Sequence, residues 1–508
     1  MLIQFTVSNF ASIRDEVTLS MLADRDTEHE DTLVPFRKER ILPNIVIYGA
    51  NAAGKTNVIR ALAAAIMTIR ESNGRQVTDS LNRMIPFVFD EKKRTEPSRF
   101  DFLFTVGDVK YSYGFSADKD RVYEEYLYAY YSAKPSMIFE RTEVSKYQFV
   151  QADRHKFYGY AEKNTDNKLL LATATAWNCK KTEIAYRWFA EGIDVYNSGT
   201  LESMMTPILA NDSDGSLQKY VTSMLHIADI NASGYTVQAS DFTSEDLKKI
   251  PIIGELNLMQ QITDGKAGTL KKYEITTEHV IEGPEGKKRY SLPFRMESEG
   301  TRRFVYISPI IKAAIESGKT VIIDEIDASL HPFLVDYILG IFSDREQNPN
   351  GAQLIVTTQD VSLLSLNRFR RDQIYFVEKD NKNGVTDLYS LDEFAPRKNA
   401  DIRRGYLQGR YGAIPAIGDG MVRRIRFTLR KRRKLPSNQR SAMLSLAIWC
   451  IVCLTQILTR SNSVKSMKRF VRQGAAMWES FSQIPALRYG LSFILDIQVN
   501  SFNQMKKY

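Results

Sequence analysis

Gly49-Ala-Asn51-Ala-Ala-Gly54-Lys55-Thr56 is the stretch of this chain whose spacing most plainly does chemistry. Two glycines five apart let a backbone wrap an anion closely, so that successive N–H groups point at phosphate oxygens. Lys55 is placed to reach the β- and γ-phosphates, and the Thr56 hydroxyl can ligate Mg²⁺. A helix opening at Lys55 would aim its positive N-terminal end at the same charge. Gly49, Asn51, Gly54, Lys55, Thr56 and Asn57 form the candidate nucleotide-binding set. A second stretch, Val321-Ile-Ile-Asp324-Glu325, ends an apolar run on two carboxylates. Asp324 can hold Mg²⁺ through water and Glu325 can polarise an attacking water. Phosphoryl transfer asks mainly for such positioning and charge neutralisation. A third, Ser298-Glu299-Gly300, is a Ser-x-Gly turn before a helical pattern, able to cap a helix or offer Ser298 and Gly300 to an anion. Gln359 follows two threonines at the end of a third apolar run; its amide can donate a hydrogen bond but carries no proton.

These groups need elements to hold them. Asn44–Tyr48, Thr320–Asp324 and Ala352–Thr357 read as short buried strands, with helical periodicity between them, as at Val58, Ile59, Leu62, Ala65 and Ile66. Strand–helix alternation predicts an α/β fold with a mixed or parallel sheet. Residues 1–22 read as a hairpin and 86–150 as an antiparallel, aromatic-rich sheet, while 180–265 reads as helical and more polar. The first two motifs lie about 265 residues apart, so a large insertion is expected between them.

The 508 residues are 43% hydrophobic and 25% charged, which excludes wholly disordered, collagen-like and disulfide-scaffold chains. Cys179, Cys450 and Cys453 show no metal-ligand spacing, and MLIQFTVSNF is no secretory leader. A reduced, cytoplasmic setting is expected. The net charge of +9 is unevenly spread. Residues 421–508 carry 17 Lys plus Arg against two acids, while residues 1–420 carry 52 bases against 58 acids.

Together, Asn9-Phe10, GANAAGKTN at 49–57, SEGTRRF at 298–304, IDEIDASLHP at 323–332, TTQD at 357–360 and GYLQGRYGAIP at 405–415 resemble the ATP-binding-cassette-type ATPases of the SMC, RecF and OLD-nuclease group, within the AAA family of bacterial defence ATPases. The closing stretch looks most like RloA-type or PARIS-type ATPases, which sit beside a Toprim-like partner of RloB type. The resemblance covers residues 1 to about 420. It implies a P-loop head of ABC type using ATP and Mg²⁺, and a head-to-head dimer with ATP between the P-loop of one copy and Ser298–Gly300 of the other. Asp327 would sit at that interface. It further implies control of a nuclease or toxin partner in phage defence. The implied domains are 1–179, the first half of the head with an antiparallel β subdomain; 180–265, a helical arm insertion; 266–420, the second half; and 421–508, an atypical tail. The family usually carries histidine where this chain has Gln359, which implies slow hydrolysis or a nucleotide-bound scaffold without turnover. An SMC- or RecF-like repair or chromosome-maintenance ATPase that binds DNA is the alternative, and the acidic balance of residues 1–420 argues mildly against it.

Three readings compete for the tail. The basic run from Arg423 to Lys434 would suit nucleic acid. Ser441–Thr459, 19 uncharged residues flanked by Arg440 and Arg460, is near a bilayer-spanning length but holds several polar residues. The favoured reading is an out-of-frame translation. Back-translating Gln483–Leu495 with permitted codons and rereading one base earlier can give Asn-Pro-Gly-Phe-Glu-Val-Trp-Leu-Val-Leu-Tyr-Phe, which resembles RloB-type text.

Overall fold

The computed structural model describes residues 1–241, 271–284 and 286–415. The chain divides into a compact unit Met1–Pro415 and a second, Ala416–Tyr508. The second unit, and with it all three readings of the tail, lies outside the described residues, as does the end of the 180–265 stretch.

Strands β1 (Leu2–Ser8) and β2 (Val17–Ser20) form the expected opening hairpin, followed by a small β3 (Val34–Phe36) and β4 (Glu39–Ile41) pair and by β5 (Asn44–Tyr48). Next come β6 (Ser98–Val106), β7 (Val109–Ala117), β8 (Val122–Tyr130), β9 (Ser136–Glu143) and β10 (Lys146–Phe149). They join the hairpin in a seven-stranded antiparallel sheet of order β10-β9-β8-β7-β6-β1-β2. Its inward positions alternate along each strand, Phe100, Phe102 and Phe104 beside Tyr111, Tyr113 and Phe115, all buried. Phe104 stacks on Trp188 with ring centroids 4.1 Å apart.

The second sheet carries the strands at whose ends the Gly49–Thr56 and Asp324–Glu325 motifs lie. It comprises β11 (Ile193–Tyr196), β15 (Thr320–Ile323), β16 (Gln353–Thr358), β5, β17 (Ile374–Lys379) and β18 (Thr386–Ser390), in that order. All neighbours are parallel except β17 and β18. β5, β15 and β16 are buried at every position, as strands covered on both faces must be. A helix Lys55–Glu71 follows β5, and a helix Glu299–Ser317 precedes β15. Each lays an apolar stripe against a sheet, for example Val58, Leu62, Ala65 and Ile69 in the first. β5 and β15, which end at the two motifs, are therefore separated by one strand, β16, and point the same way.

The stretch expected to be a helical arm departs from that expectation. Helices Lys180–Glu191, Leu201–Ala210 and Ser216–Ile227 are present. Between the first two lies β11, which pairs with β15 as an edge of the main sheet. After the third, β12 (Gly234–Asp241) joins β13 (Lys271–Gly283) and β14 (Gly286–Pro293) in an antiparallel sheet. Four residues of Ile-Asp-Val-Tyr give too short a run to read as a strand. Lys-Lys-Tyr-Glu-Ile-Thr-Thr-Glu is strand text whose polar half hides the alternation.

Candidate nucleotide site

The loop Gly49–Gly54 joins β5 to its helix at the C-terminal edge of the parallel sheet, the edge where open α/β folds bind ligands. Gly54 is the helix N-cap with φ 108°, and a Cβ there would lie 2.4 Å from the Thr386 Oγ1. Only glycine meets both conditions. Around it a small polar lattice fixes the loop. The Thr386 hydroxyl lies 3.1 Å from the Ala53 carbonyl and 2.7 Å from the Ser12 Oγ, to which the Asn57 amide also donates at 2.7 Å. Asn57 thus points its side chain into the scaffold. Asn51 in the loop and Thr56 in the first turn of the helix are exposed.

Lys55 is only 6% exposed, and its ammonium donates to the Gly49 carbonyl at 2.8 Å and approaches the Ala50 carbonyl at 3.4 Å. Burial lowers its proton affinity, while Asp327, Glu325 and Asp324 raise it again. The ammonium therefore lies in the field of the carboxylates that close β15, which brings the two sequence motifs to one place.

Asp324 is 5% exposed, and its Oδ1 accepts from the Thr357 hydroxyl of β16. The same Thr357 Oγ1 accepts from the Glu325 N–H at 2.7 Å. Glu325 adopts φ 53°, a left-handed conformation that costs a non-glycine residue roughly 1 kcal/mol or more. One strand over, the Gln359 N–H donates to the Asp327 Oδ2 at 3.0 Å. Gln359 thus reaches the carboxylate loop through its backbone.

Ser298 caps the helix Glu299–Ser317, accepting from the Thr301 N–H at 3.1 Å. Gly300 packs under the loop that follows Glu325, where a Cβ would lie 2.6 Å from the Ser329 carbonyl. The Ser-x-Gly turn therefore contacts the carboxylate loop of its own chain. His331 caps the next helix, Pro332–Ser343, its Nδ1 accepting from the Phe333 N–H at 3.2 Å, and Asn9 ties the 87–97 loop to β1 through the carbonyls of Lys93 and Glu96. Both are structural.

A hard cation needs oxygen donors and tolerates few from protein when phosphate and water supply the rest. An exposed Thr56 hydroxyl and the Asp324 carboxylate fit that demand. Among the described residues there is no group of three or more His, Cys, Asp or Glu that could hold a metal ion. Sequence reasoning gave no role to Thr357, Thr386 or Ser12. Their partners lie far away along the chain, and the one local signal was the doubled threonine before Gln359.

Residues 45–149 and 225–365 match the family model described as "AAA domain, putative AbiEii toxin, Type IV TA system". No curated protein matches the sequence. Solved structures similar to the chain include an SmcHead bound to the C-winged helix domain of ScpA (12% identity, 77% of this chain and 97% of that one, TM-score 0.38). They also include the SMC head domain from Thermotoga maritima (12% identity, 77% and 98%, TM-score 0.34). A third is CbiO1 from Clostridium perfringens, part of the ABC transporter complex cbiONQ (12% identity, 81% and 98%, TM-score 0.25). The Gly49–Gly54 loop lies in the first matched segment, and the Ser298–Gly300 turn and the Asp324–Glu325 carboxylates lie in the second.

Proposed function

We propose that this chain binds and hydrolyses ATP with Mg²⁺, dimerises head to head on ATP, and through that cycle restrains or releases a nuclease or toxin partner in antiviral defence. The observation that supports the chemistry best is the placement of Lys55 in the field of Asp324, Glu325 and Asp327 at the same edge of one parallel sheet. In this reading the amides of Gly49–Thr56 and the Lys55 ammonium hold the β- and γ-phosphates. Thr56 and Asp324 hold the cation, which would neutralise charge on the transferring phosphoryl group. Glu325 orients and polarises water, and Gln359 faces the γ-phosphate as a donor. Ser298 and Gly300 serve the nucleotide of a second copy. Apolar side chains beside those surfaces suit a self-partner: Met296 is 66% exposed next to the Ser298 turn, and Phe333 78% exposed after the carboxylate loop. The family description, which names a putative AbiEii toxin of a type IV TA system, supports a place in a toxin–antitoxin or defence system. The resemblance of the 405–415 stretch favours one of RloB Toprim type.

Two variants test the reading. Lys55→Ala should weaken ATP binding tenfold or more, about 1.4 kcal/mol. Glu325→Gln should bind ATP normally, lose roughly 100-fold in turnover and accumulate as an ATP-dependent dimer by light scattering. Equal loss of binding in both would refute the assigned roles. Normal dimerisation with no turnover in the unaltered protein would favour a nucleotide-bound scaffold.

A further inference from the structure

Glu325 is held at both ends of its own residue. Its N–H is taken by Thr357, and its carbonyl accepts from the Arg303 Nη2 at 2.5 Å. Arg303 is the second arginine of SEGTRRF, five residues beyond Ser298 on the helix Glu299–Ser317, and is 9% exposed. Its charge faces Asp327, Glu325 and Glu299, and its Nε is buried without a hydrogen-bond partner. A buried guanidinium bonded to a backbone carbonyl, with a donor left over, is an unusual use of arginine if packing were its only purpose. The carbonyl it holds belongs to the residue in the strained left-handed conformation, φ 53°. The helix that carries it also rests Gly300 against the Ser329 carbonyl of the same loop.

We propose that Arg303 is a positioning residue that sets the Glu325 carboxylate from the Ser298–Gly300 helix, so that engagement of that turn is transmitted within one chain to its own hydrolytic loop. The inference rests on the proposed ATPase function and adds a direction of coupling to it. One site would read the partner copy's nucleotide through Ser298 and Gly300. Movement of that helix, through the rigid fork of Arg303, would place or misplace Glu325 at the other site. Lysine can donate to one carbonyl but lacks the planar fork, so it should substitute in part.

The test uses the full chain, with Arg303→Met, Arg303→Lys, Ser298→Ala and the Arg303→Met/Ser298→Ala pair. Arg303→Met should lower kcat by roughly 10- to 100-fold with KM within about threefold, the pattern of a misplaced group and not of lost binding. Arg303→Lys should recover part of that loss. The paired variant should be no slower than the worse single one, because both act through one path. A raised KM with unchanged kcat, or losses that multiply, would overturn the proposal. Amide hydrogen exchange gives a readout that needs no turnover. In Arg303→Met the 325–331 peptide should exchange faster while the 49–57 peptide is unchanged. Unchanged exchange at 325–331 would overturn positioning by Arg303. Faster exchange there in a protein that hydrolyses no ATP would uphold the positioning and refute the proposed ATPase.

Discussion

At the residue scale the site depends on a few backbone conformations that particular side chains allow or enforce. Gly54→Ala would place a Cβ 2.4 Å from the Thr386 Oγ1 in a left-handed backbone, so it should abolish nucleotide binding and lower the thermal midpoint. Differential scanning calorimetry with and without Mg²⁺-ATP reads both effects. Away from the site, Asp392 has its pKa pushed up to about 6 by burial and by the neighbouring carboxylate of Asp24, in a network where Arg370 bridges Asp24 and Asp372. A carboxyl whose folded pKa lies above its unfolded value of about 3.9 favours folding in its protonated form, and the folded state loses stability as pH rises from about 4 through 6. Asp392→Asn removes that loss. Its thermal midpoint relative to the unaltered protein should rise between pH 4 and 6 and level off above pH 7. A gap that shrinks as pH rises would contradict the assignment. The placement of Lys55, Asp324 and Glu325 just beyond strand ends was legible in the sequence because their spacing to those strands is local. The roles of Thr357, Thr386 and Arg303 were not, because each works on a residue more than 20 positions away that only the sheet order brings near.

At the element scale, the buried parallel strands were legible for the reason that makes them work. β5, β15 and β16 are apolar throughout because both faces are covered, and each ends where polar text begins. The antiparallel sheet was legible from alternating aromatics. The β12–β14 sheet was not, since β14 is almost wholly exposed and gives no buried face to pattern. A buried glutamine ties the two large sheets together. The Gln353 Oε1 accepts from the Leu2 N–H at 2.6 Å and the Thr320 hydroxyl at 2.8 Å, and its Nε2 donates to the Leu2 carbonyl at 2.9 Å. Gln353→Leu keeps the approximate volume but strands these partners. It should cost roughly 2–4 kcal/mol, on the scale of more than one unpaired buried polar group. Urea unfolding measures it, and a cost below about 0.5 kcal/mol would show that the glutamine is not a joint.

At the scale of the whole molecule, the change of composition near residue 421 falls close to the boundary at which the chain divides, Pro415 against Ala416. No helix among the described residues is long and apolar enough to cross a membrane, and Ser441–Thr459 lies outside them. The unit Met1–Pro415 holds the P-loop, the carboxylates and the Ser298 turn, so a chain ending at Pro415 should bind Mg²⁺-ATP with the affinity of the full chain. Loss of binding would give residues 416–508 a part in the site. The gene itself tests the favoured reading of the tail: a single-base correction near codon 421 should open a frame with balanced acids and bases, and a closed frame would remove that reading.

The proposed function needs a nucleoside triphosphate and its cation to bind between the end of β5 and the end of β15. A crystal structure of Glu325→Gln with Mg²⁺-ATP should show the terminal phosphate on the Lys55 ammonium, with the cation between Thr56 and Asp324. A triphosphate seated elsewhere, or a cation touching neither side chain, would contradict it.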